Sequence, residues 1–213
     1  MQHYFLVALL YFREQKCDYV VLEVGIGART DSTFFITPEV SVFTTLGMDH
    51  THLIGPALED IAYEKAGIIK EGVPVVLGPT AQHPIVLEEA EKLHAEVYAV
   101  EQKFEFYEEE NQAIARNVIE AFRKTNPKHE CITEAHIQTG IGKRQPCRME
   151  ELKPEFLPKG SEGKRVFFDG GHNPQAIVRF TSFRKKSESA WTKTNFRTTR
   201  LCSSTAQLLT ETP

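Results

Sequence analysis

Five short, β-branched apolar runs are spaced along the first 170 residues, and helical stripes separate most of them. The runs are Asp18–Val24 (DYVVLEV), Val40–Leu46, Val73–Leu77, Glu96–Val100 and Arg165–Asp169 (RVFFD). Each is nearly continuous rather than alternating, as in parallel strands buried on both faces. Between them, residues 3–16 repeat Phe5, Ala8, Leu9 and Phe12 at helical spacing. Pro56 opens a predicted helix to about Lys70, and Ile85–His94 forms another. Glu108–Lys124 carries the clearest stripe: Ile114, Ala115, Val118, Ile119 and Phe122. Lys143–Glu150 is expected to be extended. The alternation predicts an α/β fold with a mainly parallel sheet. Such sheets bind ligands at the carboxyl ends of their strands. Glu23, His50 and Asp169 all fall at or just past predicted strand ends.

The 213 residues fit one domain, or one and a fraction, and a 41% hydrophobic share supplies a core. No run reaches the ~20 apolar residues of a membrane span. MQHYFLVALLYF lacks a basic leader and a small-residue cleavage site, so it reads as an amphipathic helix rather than a signal peptide. Cys17, Cys131, Cys147 and Cys202 are scattered without a Cys-x-x-Cys pair. That argues against zinc and suits free thiols in a cytoplasmic protein.

Charge is uneven. The formal −4 divides into +5 over residues 179–213, with seven Lys/Arg against two Asp/Glu, and −9 over residues 1–178. The tail holds thirteen Ser/Thr in 35 residues and no apolar period. It is expected to be disordered. It has no basic–aromatic repeat to mark nucleic-acid binding.

Four places can carry chemistry. Glu23 sits in an apolar run, so its carboxylate needs a metal or an ion pair, with Arg29 the nearby cation. His50 follows Asp49 in the loop after the second run and is either a metal ligand or a surface histidine. Magnesium rarely takes imidazole, and manganese accepts it more readily. Lys65, in AYEKAGIIK, is either solvated or directed at phosphate or metal. Asp169-Gly170-Gly171-His172-Asn173-Pro174 is a strand-to-helix turn. It is either a capped turn or a ribose and phosphate contact through Asp169 and His172.

Together these blocks resemble the folylpolyglutamate synthase / dihydrofolate synthase family of the Mur ligase superfamily. LEVGIGARTDST is similar to that family's LEVGLGGRLDATN, and GMDHTHLIG with IAYEKAGIIKEGVPVV to its DHT and EKAGIIK blocks. DGGHNPQA resembles DGAHNPxA, NQAIARNVIEAF an Asn-led helix, and CRMEE a Gly-Arg-Phe/Met-Glu strand. The likeness covers about residues 3–178. EKAGIIK points to the folate branch rather than to a cell-wall Mur ligase.

The resemblance implies an ATP-dependent ligase that activates a folate carboxylate as an acyl phosphate, which the amine of L-glutamate then attacks. It implies that Glu23 and His50 bind Mg2+, and that Lys65 is carbamylated beside metal and phosphate. It also implies that Asn111, Arg148, Asp169 and His172 contact ATP. The expected substrates are dihydropteroate or tetrahydrofolate with glutamate, and the expected state is a monomer. Residues 1–142 correspond to part of the central ATPase-type domain, 143–178 to the start of a Rossmann-like C-terminal ligase domain, and 179–213 to a tail.

The chain departs from the pattern at Ala28 and Cys147, which replace Gly, and at Phe34, which replaces Asn. It also carries no Gly-rich loop ending in Gly-Lys-Ser/Thr, the element that cradles phosphate in the family. The expectation from sequence is a chain truncated at both ends, with an out-of-frame tail and impaired activity.

Overall fold

The computed structural model describes residues 2–143, 145–148, 150–157, 166–171, 176, 178, 195–200 and 207–212. Two compact units divide the chain: residues 1–103 with 110–133, and residues 104–109 with 134–213.

The first unit is built on a parallel sheet of β1 (Ser41–Phe43), β2 (Val75–Leu77) and β3 (Val97–Ala99), in that order. Ser41 pairs with Val75, which pairs with Val97. The middle strand is wholly buried, as its unbroken Val-Val-Leu run requires. Helices α3 (Leu58–Ala66) and α4 (Pro84–Lys92) make the crossovers. Ile61, Ala62 and Ala66 of α3 and Val86 and Ala90 of α4 pack into one core with Phe43, Val75 and Leu77.

Local chemistry sets the helix limits. The helix predicted from Pro56 to Lys70 is the shorter α3, and a separate short helix, α2 (Thr51–Ile54), forms in the loop before it. The Asp60 carboxylate accepts from the Ala57 N–H at 3.0 Å and fixes the start of α3. At the other end Gly67 lies against Arg29, where a Cβ would meet backbone. α4 begins with His83, whose side chain caps Ile85 N, and with Pro84 in the first turn.

The predicted strand Asp18–Val24 is not a strand. The segment runs without a ladder, and Val21 is 96% exposed. An apolar run states only that a segment can be buried. A strand needs a neighbour in register, and among the described residues β1 has one on its β2 side alone.

The N-terminal stripe forms α1 (Gln2–Glu14), and α5 spans Tyr107–Thr125. Helix α6 (Glu134–Ile141) was not foreseen, because its eight residues hold too few apolar positions to form a stripe. No helix among the described residues is long and apolar enough to cross a membrane.

The second unit holds an antiparallel sheet ordered β4 (Glu150–Glu151), β5 (Val166–Asp169), β7 (Gln207–Thr212), β6 (Asn195–Arg200). The expected extended segment Lys143–Glu150 contributes only its last residue to β4. β5 pairs with β4 on one side and with β7 on the other. In the tail, for which disorder is expected, β6 and β7 form an antiparallel hairpin. Threonines are frequent in both strands, and β-branched residues suit extended backbone. The remaining tail residues lie outside the described residues.

Candidate functional site

In the first unit, the loop after Glu23 lies against α3. Gly27 takes a left-handed backbone (φ 68°), and a Cβ there would stand 3.2 Å from the Glu64 carboxylate. Arg29 donates from Nε to the Tyr63 carbonyl at 2.9 Å and from Nη2 to Glu89 at 2.9 Å. Its guanidinium also stacks 4.1 Å from the Tyr63 ring centre. The ion pair anticipated between Glu23 and Arg29 therefore does not form. Arg29 is committed to Glu89, because the loop turns it toward α3 and α4.

Glu23 is exposed and has no hydrogen-bond or ion-pair partner among the described residues. Its expected burial in a strand does not occur, because the strand itself does not form. Two residues on, the Gly25 N–H donates to Asp31 Oδ2 at 3.2 Å. Asp31 also caps the 3-10 turn Ser32–Phe35, accepting from Thr33 N at 2.8 Å and Thr33 Oγ1 at 2.7 Å. Burial raises the Asp31 pKa, but the donors from Thr33 and Gly25 outweigh it and hold the carboxyl below its usual value.

His50 begins α2 in a left-handed conformation (φ 50°). Few non-glycine residues occupy that region, and such strain gathers at functional positions. Its N–H donates to Asp49 Oδ1 at 2.8 Å, and its ring Nε2 lies 3.9 Å from the same oxygen.

Lys65 stands half-buried on α3, with its Nζ 5.7 Å from the Phe43 ring centre. Burial pushes its pKa down, and the nearby Asp49 charge opposes that only in part. The structure thus brings Lys65, Asp49 and His50 into one neighbourhood. Among the described residues no hydrogen bond or ion pair joins Glu23 to it.

Among the described residues no three His, Cys, Asp or Glu side chains gather closely enough to hold a metal alone. An exposed carboxylate without a protein partner among the described residues and a part-exposed imidazole nevertheless suit a hydrated divalent ion. Water and phosphate oxygens fill most of the shell of such an ion.

Asn111 is exposed on α5, in the first unit. In the second unit, Asp169 ends β5 and is 5% exposed. Its Oδ1 accepts from Gly171 N at 2.7 Å and its Oδ2 from the Tyr107 hydroxyl at 3.2 Å. Burial, followed by the charge of Asp169, drives the Tyr107 pKa well above its usual value. Tyr107 was missed in the sequence because its only signal is its place at the head of α5. Arg148 is exposed, and its neighbour Cys147 accepts from Gly170 N at 2.8 Å. His172 and Asn173 lie outside the described residues.

Residues 4–139 match the Mur ligase middle domain. The chain belongs to the Mur ligase family. Within it, the similarity runs to the folate branch. The chain is 32% identical to a dihydrofolate synthase/folylpolyglutamate synthase of Bacillus subtilis over 214 residues, 84% of this chain and 47% of that protein. It is also 32% identical to the folylpolyglutamate synthase of Lacticaseibacillus casei over 78% of this chain and 45% of that one. A solved folylpolyglutamate synthase complex with AMPPCP and folate superposes with a TM-score of 0.71 at 28% identity, over 86% of this chain and 50% of that one. This Mur ligase chain spans about half the length of the curated relatives it matches.

Proposed function

We propose that the chain carries part of the site of an ATP-dependent ligase that adds L-glutamate to a folate. The supporting observation is Lys65, a half-buried lysine whose neutral amine is favoured by burial, beside the Asp49–His50 loop. A neutral amine is the form that takes up carbon dioxide. The resulting carbamate would turn a cation into a carboxylate-like group suited to a metal–phosphate site.

Residues 1–142 would form the ATPase-type part, and residues 143–178 the start of the C-terminal ligase domain. Glu23 and His50 would hold a divalent ion, with Mg2+ the expected one, and it would neutralise charge on the transferring phosphate. Asn111, Arg148, Asp169 and His172 would bind ATP, with the Arg148 guanidinium suited to phosphate oxygens. Tyr107 and the Gly171 N–H hold the Asp169 carboxylate in one orientation.

The chemistry requires activation, because a carboxylate is a poor electrophile at neutral pH. The γ-phosphoryl of ATP passes to the folate carboxylate. The glutamate amine attacks the acyl carbon, the amide forms and phosphate leaves.

The test is an assay of the 213-residue chain for ATP- and glutamate-dependent extension of tetrahydrofolate, and of dihydropteroate, with phosphate release. Turnover abolished by Lys65→Ala and Glu23→Gln supports the ligase. Nucleotide binding without turnover supports the second reading, a non-catalytic relative, which the half-length match to known enzymes raises.

A further inference from the structure

We infer that His129 is a positioning residue for the segment that carries Glu23. The inference rests on the reading of Glu23 as a metal ligand. His129 is 3% exposed, a nearly full burial for a polar ring. Both of its nitrogens are engaged. Nε2 lies 2.9 Å from Glu39 Oε2, and Nδ1 lies 3.0 Å from the Tyr19 hydroxyl. An ionised carboxylate can only accept, so Nε2 carries the proton toward Glu39. In the neutral ring Nδ1 then accepts, and Tyr19 donates.

The ring is fixed from behind. Phe122 of α5 meets it edge-on at 5.0 Å, and Tyr19 meets Phe122 at 6.4 Å. The 3-10 turn Pro127–Cys131 that bears His129 is capped by Asn126, whose side chain accepts from Lys128 N at 3.1 Å.

This cluster matters because of what the Glu23 segment lacks. Val20–Val24 has no ladder hydrogen bonds, and Val21 projects almost entirely into solvent. A strand next to a metal site is ordinarily held by its sheet neighbours. Here two side-chain pins replace them. Gly25 is bound to Asp31 at one end, and Tyr19 is bound to His129 at the other. The link between the pins is five residues, at most about 17 Å when extended. Fixing both ends restricts the conformations open to the link. His129 thus acts on Glu23 through Tyr19, without touching the site itself.

The test uses the full 213-residue chain, three variants of the pin and Glu23→Gln. His129→Phe keeps the aromatic packing and removes both hydrogen bonds. His129→Gln can restore both, with Oε1 accepting from Tyr19 and Nε2 donating to Glu39. Tyr19→Phe removes one hydroxyl at a 63% exposed side chain and serves if His129→Phe does not fold.

Backbone 15N relaxation of Val20–Val24 is the first readout. Order parameters are expected to fall from about 0.85 to below about 0.6 in His129→Phe and Tyr19→Phe, and to recover in His129→Gln. Unchanged order parameters, or a segment already mobile in the wild-type chain, overturn the inference. Titration with Mn2+ alone, followed by electron paramagnetic resonance, is the second. Affinity several-fold weaker in both Glu23→Gln and His129→Phe supports the whole proposal. A loosened segment with Mn2+ binding unchanged in Glu23→Gln overturns the metal reading and leaves the positioning role standing. Mn2+ binding weakened in Glu23→Gln, with Val20–Val24 unmoved in His129→Phe, overturns the positioning role alone.

Discussion

The Arg29 guanidinium donates to the Glu89 carboxylate at 2.9 Å and ties the loop after Glu23 to α4. Because the same group also bonds the Tyr63 carbonyl and stacks on the Tyr63 ring, it holds α3 as well. Arg29→Met leaves Glu89, a mostly buried acid, without this partner. The expected cost is about 2 kcal/mol, of the size found for hydrogen bonds to charged groups. Arg29→Lys should recover less than half, since an ammonium lacks the planar fork and the stacking face. Urea unfolding midpoints of the three proteins check this.

Lys65 gives a prediction in the opposite sense. Its folded pKa lies below the ordinary lysine value of 10.5, so the folded protein binds its proton less tightly than the unfolded chain does. The burial penalty is present in full at neutral pH. It is relieved as pH rises through the folded value toward 10.5. Lys65→Met should therefore stabilise the chain at pH 7, with a gain that shrinks as the solution is made alkaline. Incubation with 13C-bicarbonate should give a carbamate resonance that disappears in Lys65→Met. A resonance that persists in the variant would assign the carbamate elsewhere.

Asp31 should supply stability that depends on acid. Its folded pKa is held below 3.8, so the contribution is present above 3.8 and is lost as pH falls through the folded value. Asp31→Ala removes a cap and the Gly25 contact, and should cost about 1 kcal/mol at neutral pH. The difference from the wild-type chain should narrow on acidification. Thermal unfolding at a series of pH values measures both.

Cys147 occupies a left-handed backbone, φ 60°, that a side chain strains. Glycine relieves that strain, while its greater freedom in the unfolded chain offsets part of the benefit. Cys147→Gly should raise stability by less than about 1 kcal/mol. Ala28 stands where the family pattern also has glycine, yet the left-handed residue there is Gly27. Ala28→Gly should therefore bring no gain. Comparing the two variants in one unfolding experiment separates strain from composition.

Much of this molecule was legible because buried parallel strands have an unmistakable composition. Val75–Leu77 is wholly buried within the run marked from Val73 to Leu77, and α3, α4 and α5 each overlap a predicted helix. Boundaries were less legible. The start of α3 depends on the Ala57 N–H donating to the Asp60 carboxylate, a contact that periodicity does not carry. The segment Asp18–Val24 shows the limit most clearly, because its residues fit a strand and its surroundings supply no ladder. Tyr107 and His129 carried no sequence signal of their own.

By itself, the sequence determined which residue types stand at strand ends and helix faces, and through its LEVG, DHT and EKAGI blocks, the family. Those are properties of order along the chain. Only the tertiary structure decided which partners those residues have. Arg29 went to Glu89 rather than Glu23, Lys65 came to lie near Asp49, and His129 closed on Tyr19 across 110 positions. The reason is physical. Hydrogen bonds and charge effects act over a few ångströms of space, and separation along the chain does not fix that distance.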